Sequence, residues 1–268
     1  MNLKLNLSLN KAFNLNKITL LFFLFIGLNT NLRAQEDHPH IEPLPAEEYY
    51  FRIHYGFFNA VYAKLSRSEE VFEGKKVNHV VGSGATTGVA RLFMRVDDRY
   101  ESYYTNDFKP HYFKRSVREG NYEKDEEIRF DYQTEKAIVT NLTSLERTTI
   151  PIVDELQDLM SYYFYLKETI NPKLLKVNDV ITVPIVFDAD GIFYFKVKYL
   201  GEDQINTDFG KKDCYLFQPY IDFGSRVFGE NKNFKVWISK DELLPIKVKA
   251  PLVIGSIVVD LEEYYRSK

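Results

Sequence analysis

Apolar and polar residues alternate with a period of two along most of this chain. YYFRIHYGFFNAVYAKL, Tyr49 to Leu65, sets the pattern. Phe51, Ile53, Tyr55 and Phe57 fall on one face, and Tyr50, Arg52 and His54 on the other, as a half-buried strand requires. Gly56 and Asn59 interrupt that rhythm and predict a bend or bulge, after which Val61, Ala63 and Leu65 continue inward. FEGKKV reads as a turn and NHVVGSGATTG as a strand that loosens into small residues. The stretch from Arg99 to Leu142 reads as a meander with turns at TNDFKP, REGNY and YQTEK. Asp188-Ala-Asp-Gly191 predicts a hairpin, because Asp-Gly favours a tight turn with positive φ. The last third closes with strands whose inward positions are Val236, Ile238, Val248, Val253, Ile257 and Val259.

One segment departs from period two. In PIVDELQDLMSYYFYLKE, Leu156, Leu159, Met160, Tyr163 and Phe164 recur at helical spacing. Asp154 and Gln157 stand as a capping box, and Asn171-Pro172 marks an exit. The spacing predicts a helix over about 153–168. The expected fold is mainly β: an antiparallel meander forming a curved sheet or half-barrel with that one helix packed on it. Residues 49–268 then form one domain, since no repeat, low-complexity tract or linker divides them.

The chain's start obeys other rules. Residues 1–17 carry Lys4, Lys11 and Lys17 without an acid, Ile18 to Leu28 is an eleven-residue apolar run, and NTNLRA ends at Ala34. A basic stretch, a short apolar run and a small residue describe a secretory signal peptide cleaved after Ala34. The apolar run is short for the ~30 Å hydrocarbon core, so no stable membrane span is expected after its removal. The mature chain is expected to be soluble and exported. Residues 35–48, acidic and proline-rich, read as a mobile lead-in. Loss of residues 1–34 removes four basic residues and no acid, taking the net charge from −3 to −7. That sign argues against nucleic acid as a partner and against docking on anionic headgroups. Cys214 is the single cysteine, which excludes an intramolecular disulfide, a CxxC redox pair and a cysteine-rich zinc site.

No catalytic constellation emerges. His54 and His111 lie in strands beside aromatics, and His79 precedes VVGSG, with no Ser, Cys or Asp at a defined spacing to orient them. His38 and His40 offer two ligands in the lead-in, too few for a metal site. GSGATTG, Gly82 to Gly88, lacks the Lys-Ser/Thr of a phosphate loop and no helix follows it, so it reads as a flexible crossing between strands. Asp97-Asp98 and the acids from Glu119 to Glu127 read as a solvated face, and Asn141-Leu-Thr143 as a glycosylation sequon, meaningful only in a eukaryotic secretory route. No enzyme activity, metal or other cofactor is expected.

VGSGATTG, DDRYESY, DELQDLMSYYFYLK, KVWISKDELLPIKVKA and VIGSIVVDL together resemble the domain of unknown function 3108 family of exported bacterial proteins, over about Tyr49 to Tyr265. That resemblance implies kinship and compartment, with the periplasm as the expected location, and carries no mechanism. More loosely, Trp237 to Val248, with its Lys240-Asp241-Glu242 turn and Pro245, is similar to a hairpin of periplasmic lipoprotein carriers. Those carriers fold as incomplete barrels closed by several helices over an apolar cavity, where this chain offers one clear helix.

Aromatic excess, 19 Tyr and 21 Phe against one Trp, has two readings. The rings are cross-strand pairs stabilising a ladder, or some line an apolar cavity on the concave face. The candidate lining set is Phe51, Tyr55, Phe57, Phe193, Phe195 and Trp237. The second reading makes the protein an exported binding module for an apolar ligand, an acyl chain or lipoprotein lipid. The alternative is a structural or assembly protein of the envelope, acting through contacts with other envelope proteins. A hydrolase built on acidic residues is the least supported.

Overall fold

The computed structural model describes residues 46–56, 58–93, 95–222, 227–228, 234–252 and 255–267. The expected signal peptide, nearly all of the lead-in, Phe57 and Val253 lie outside these residues. Sixteen strands and two helices follow in chain order: β1 (Glu47–Tyr55), β2 (Phe58–Phe72), β3 (Lys75–Thr86), α1 (Ala90–Phe93), β4 (Asp97–Tyr104), β5 (Pro110–Glu119), β6 (Tyr122–Asp131), β7 (Lys136–Asn141), β8 (Arg147–Pro151), β9 (Gln157–Asp158), α2 (Ser161–Thr169), β10 (Val180–Val186), β11 (Phe193–Thr207), β12 (Gly210–Asp222), β13 (Val227–Phe228), β14 (Lys235–Ser239), β15 (Pro245–Pro251) and β16 (Ser256–Arg266). All belong to one sheet in the order β8-β7-β6-β5-β4-β3-β2-β1-β16-β15-β14-β12-β11-β10-β9, with β13 beside β12. Every pair is antiparallel except β9–β10. The half-barrel expectation holds: the sheet is open, with β8 and β9 at its ends.

Alternation fixes which face is buried. Tyr49, Phe51 and Ile53 of β1 point inward while Tyr50, Arg52 and His54 are partly exposed. The expected bulge is present: Ile53 pairs with Val61 and His54 with Asn59, so Ala60 is the extra residue. Curvature follows from what α2 touches. Tyr104 of β4 stacks on Phe164 with centroids 6.4 Å apart, Tyr49 of β1 meets Tyr163 edge-on at 5.8 Å, and Phe195 of β11 meets Tyr162 at 5.2 Å. β4 and β11 stand eight strand spacings apart in the sheet, about 38 Å if it were flat at about 4.8 Å per spacing. The nine-residue α2 is only about 13 Å long at 1.5 Å per residue. The sheet must therefore curl around it. The β9 end tucks beneath β4 and β5 through side chains: Ser102 Oγ donates to Asp158 Oδ2 (2.5 Å), and Gln157 Nε2 to the Phe108 carbonyl (2.9 Å).

Two local expectations are corrected. The helix begins at Ser161, not near residue 153, because Glu155 sits at φ +57° and the chain then forms β9. Asp158 replaces the expected cap: its Oδ1 accepts the N–H groups of Met160 and Ser161 (both 2.8 Å), while Ser161 Oγ accepts the Asp158 N–H (3.0 Å). Leu156, Leu159 and Met160 are buried all the same. Gly82 to Thr86 are not a crossing but the end of β3, laddered on both sides, with Gly82 between Leu65 and Tyr100. The 188–191 turn joins β10 to β11 as expected, with Gly191 at φ +118°.

Candidate functional site

The concave face comes first, since the expected lining residues were assigned to it. Phe51 and Phe195 are there and are buried: Phe195 meets Tyr162 of α2, and Phe51 stacks on Tyr49, which meets Tyr163 of α2. α2 is held by a buried ionic cluster. Glu47 accepts from Lys167 Nζ at 2.5 Å and from Tyr264 at 2.8 Å, and pairs with Arg67 at 2.9 Å. Lys167 also donates to the Tyr49 hydroxyl (2.8 Å), and Arg67 lies over the Phe164 ring at 4.5 Å. Burial pushes the Glu47 carboxyl up, but Lys167 and Arg67 outweigh it and hold it below its ordinary value. Glu47 belongs to the run that reads as lead-in from sequence; here it opens β1 and is wholly buried.

The other lining candidates do not join Phe51 and Phe195. Phe193 stacks on Phe187 at 4.7 Å near the β10–β11 turn. Tyr55 keeps the inward parity of its strand but emerges at the strand's end, 41% exposed. Trp237 lies on the opposite face of the sheet. Its neighbour Val236 opposes Val248, Val259 and Ile53 in an inward row, whereas Trp237 opposes Lys247, Asp260 and Arg52 in an outward one.

Two outward features were not legible in the chain. The first is a rim. β1, β3 and β15 end, and β2, β4 and β16 begin, at the same end of the sheet. There the start of β2 exposes Phe58 (60%), opposite Tyr55, and the β3–β4 connection exposes Val89, Leu92 (84%) and Phe93 (86%). α1 packs on β2, and the Thr87 N–H donates to the Ala60 carbonyl (3.3 Å). Tyr55 also covers Gly255 of the β15–β16 turn so closely that a Cβ there would lie 2.9 Å from its ring.

The second is a cleft of about 500 Å³ on the outward face beside that turn, lined by Lys235, Trp237, Lys249, Pro251, Gly255 and Ser256. The Trp237 Nε1–H donates to Asp203 Oδ2 (2.8 Å), which fixes the indole. A smaller cleft of about 240 Å³ lies nearby around Arg52, Asp208, Lys247 and Asp260. Its charges cancel internally: Arg52 pairs with Glu262 at 2.8 Å and Asp208 at 3.5 Å, and Lys247 with Asp260 at 3.1 Å.

Titratable candidates are otherwise absorbed into the fold. His54 meets Asp260 (2.8 Å) and the Gly56 carbonyl (2.7 Å), and His79 lies between Glu70 and Glu101, stacked on Tyr103. Burial lowers the His111 pKa and pushes the Cys214 thiol up to about 12. Among the described residues no group of three or more His, Cys, Asp or Glu is placed to hold a metal ion. No helix among them is long and apolar enough to cross a membrane.

Among solved structures, the chain is similar to a β-barrel-like protein of domain of unknown function 1849 from Brucella abortus, with TM-score 0.51 and 8% identity over 84% of this chain and 98% of that one. At this identity the likeness is one of fold. A candidate lipoprotein from Parabacteroides distasonis matches with TM-score 0.36 and 10% identity over 86% and 100% of the two chains. A candidate exported protein with a YmcC-like fold from Bacteroides fragilis matches with TM-score 0.34 and 8% identity over 90% and 99%. No curated protein matches the chain. The family described as "Protein of unknown function (DUF3108)" matches residues 50–262, nearly the whole curled sheet, and the chain belongs to that family.

Proposed function

We propose that this chain is an exported, non-catalytic module of the cell envelope that binds an acyl chain or lipoprotein lipid, and that it does so with the apolar rim rather than inside the trough. The observation that carries this reading is the exposure of Phe58, Leu92 and Phe93 at one end of the sheet. Three large apolar side chains leaving water are worth roughly 5–9 kcal/mol at about 1.5–3 each. Association costs of about 4–15 kcal/mol oppose that gain, so the engagement is weak and reversible. The trough is the poorer place for a lipid, because α2 already packs on Phe195 and on Tyr49, the ring beside Phe51, and is tied down by Glu47 and Lys167. Export rests on the basic, apolar and small-residue pattern of residues 1–34, and the carrier-like hairpin at Trp237 to Val248 agrees with a lipid ligand.

Titration of the mature protein with a fatty acid, read by Trp237 fluorescence and native mass spectrometry, tests the reading. Binding is expected, and L92S/F93S should weaken it at least tenfold while leaving the melting temperature unchanged. No co-purifying lipid and no fluorescence response would reject it, and stable crosslinks to envelope proteins in cells would favour an assembly role instead.

A further inference from the structure

Against the acidic balance of the mature chain, the outward cleft carries two lysines that no ion pair among the described residues includes. Lys235 and Lys249 stand directly opposite one another on β14 and β15, their side chains on the same face. In antiparallel strands, directly opposed residues have Cα atoms only about 5 Å apart, and like charges so placed repel. The neighbouring cations are neutralised: Lys247 by Asp260, and Arg52 by Glu262. For Lys235 and Lys249 no carboxylate among the described residues lies within ion-pair distance, and Asp203, the acid close enough to interact with Lys235, gives its Oδ2 to the Trp237 indole. Two opposed ammonium groups over a fixed aromatic floor, in a cleft of about 500 Å³, suit a compact anion with several oxygens, for which lysine is a point-charge partner.

The position of the cleft says which anion. Gly255 lines it, and the same glycine is covered by Tyr55, which belongs to the apolar rim. Cations and exposed rings thus meet across one turn, as in a surface that seats an amphiphile with its charged end beside its tail. We propose that the Lys235–Lys249 cleft is a subsite for the phosphate headgroup of an anionic phospholipid, whose acyl region meets the Phe58–Leu92–Phe93 rim. This rests on the lipid-binding reading above.

Trp237 is the chain's only tryptophan and forms part of the cleft, so its emission reports on occupancy directly. The mature protein is mixed with vesicles of phosphatidylcholine alone, with vesicles containing one-third phosphatidylglycerol, and with inorganic phosphate, and followed by Trp237 emission and co-sedimentation. Phosphatidylglycerol should tighten vesicle partitioning about tenfold, and raised salt should erase the gain. K235Q/K249Q should reduce the preference to twofold or less, K235R/K249R should retain it, and L92S/F93S should abolish binding to both kinds of vesicle. A K235Q/K249Q protein that folds with the wild-type melting curve and keeps the full preference would overturn the headgroup site while leaving lipid binding intact. Loss of binding to every vesicle and to fatty acid would overturn the underlying reading. A Trp237 response to millimolar inorganic phosphate without any vesicle preference would make this a site for free phosphate and overturn the lipid assignment.

Discussion

Glu47 shows how far one residue can depart from its sequence context. In PAEEYY it reads as part of a solvated acidic run, yet it anchors Lys167, Arg67 and Tyr264 in the interior. Glu47→Gln takes from Lys167 its carboxylate and leaves Arg67 the more distant Glu168 at 3.6 Å, and should cost about 3–5 kcal/mol, read from the urea midpoint. Asp158 acts in the opposite sense. Burial raises its pKa from 3.8 to about 6, against the hydrogen bonds from Ser102, Ser161 and Met160 that favour the charged form. Its folded pKa exceeds the unfolded one, so it favours folding most below about pH 4, and that contribution is lost as pH rises through about 6. The displacement is worth roughly 3 kcal/mol at 1.36 kcal/mol per pH unit. Asp158→Asn should remove this fall, flattening the stability profile between pH 4 and 6 in denaturant titrations. Glu47, held below its ordinary 4.5, contributes above that pH and loses its contribution as pH falls further, so the two effects occupy different windows.

Among the elements, strands were legible and the helix only partly so. Period two survives into the structure because successive side chains in a strand must point to opposite faces; β1, β4 and β5 all show it. The stripe Leu156–Phe164 is buried throughout, but a stripe fixes burial and not conformation: Glu155 enters the left-handed region, and Asp158 and Ser161 cap the shorter helix that results. α2 owes its place to the rings beneath it rather than to a long propagating helix. Phe195→Ala removes the ring under Tyr162 and should cost about 3–5 kcal/mol, measured by chemical unfolding, with the far-ultraviolet strand signal kept at low denaturant. α1 contributes the reverse case, a four-residue helix with no buried residue, and its apolar side chains are spent on exposure rather than on packing.

At the scale of the molecule, a single curled sheet wraps the rings that meet α2 on its inward face and carries the Trp237 cleft on its outward one. Among the described residues, rings paired across strands and against α2 take up part of the aromatic excess, while others, such as Phe58 and Phe93, stay exposed. Aromatic count alone cannot tell these uses apart, because a ring that packs and a ring that binds have the same composition and the same parity along a strand. Trp237 and Val236 are adjacent in the chain and on opposite sides of the wall. By itself the sequence determined most of the strands and their buried faces, a bend or bulge around Gly56 and Asn59, and the family, since each depends on near neighbours or on a pattern local to the chain. Only the tertiary structure decided that β4 and β11 meet over one short helix, that Glu47 lies inside, and that Lys235 opposes Lys249 beside a turn covered by Tyr55. Those facts depend on register and curvature between strands far apart in sequence, which no local periodicity encodes.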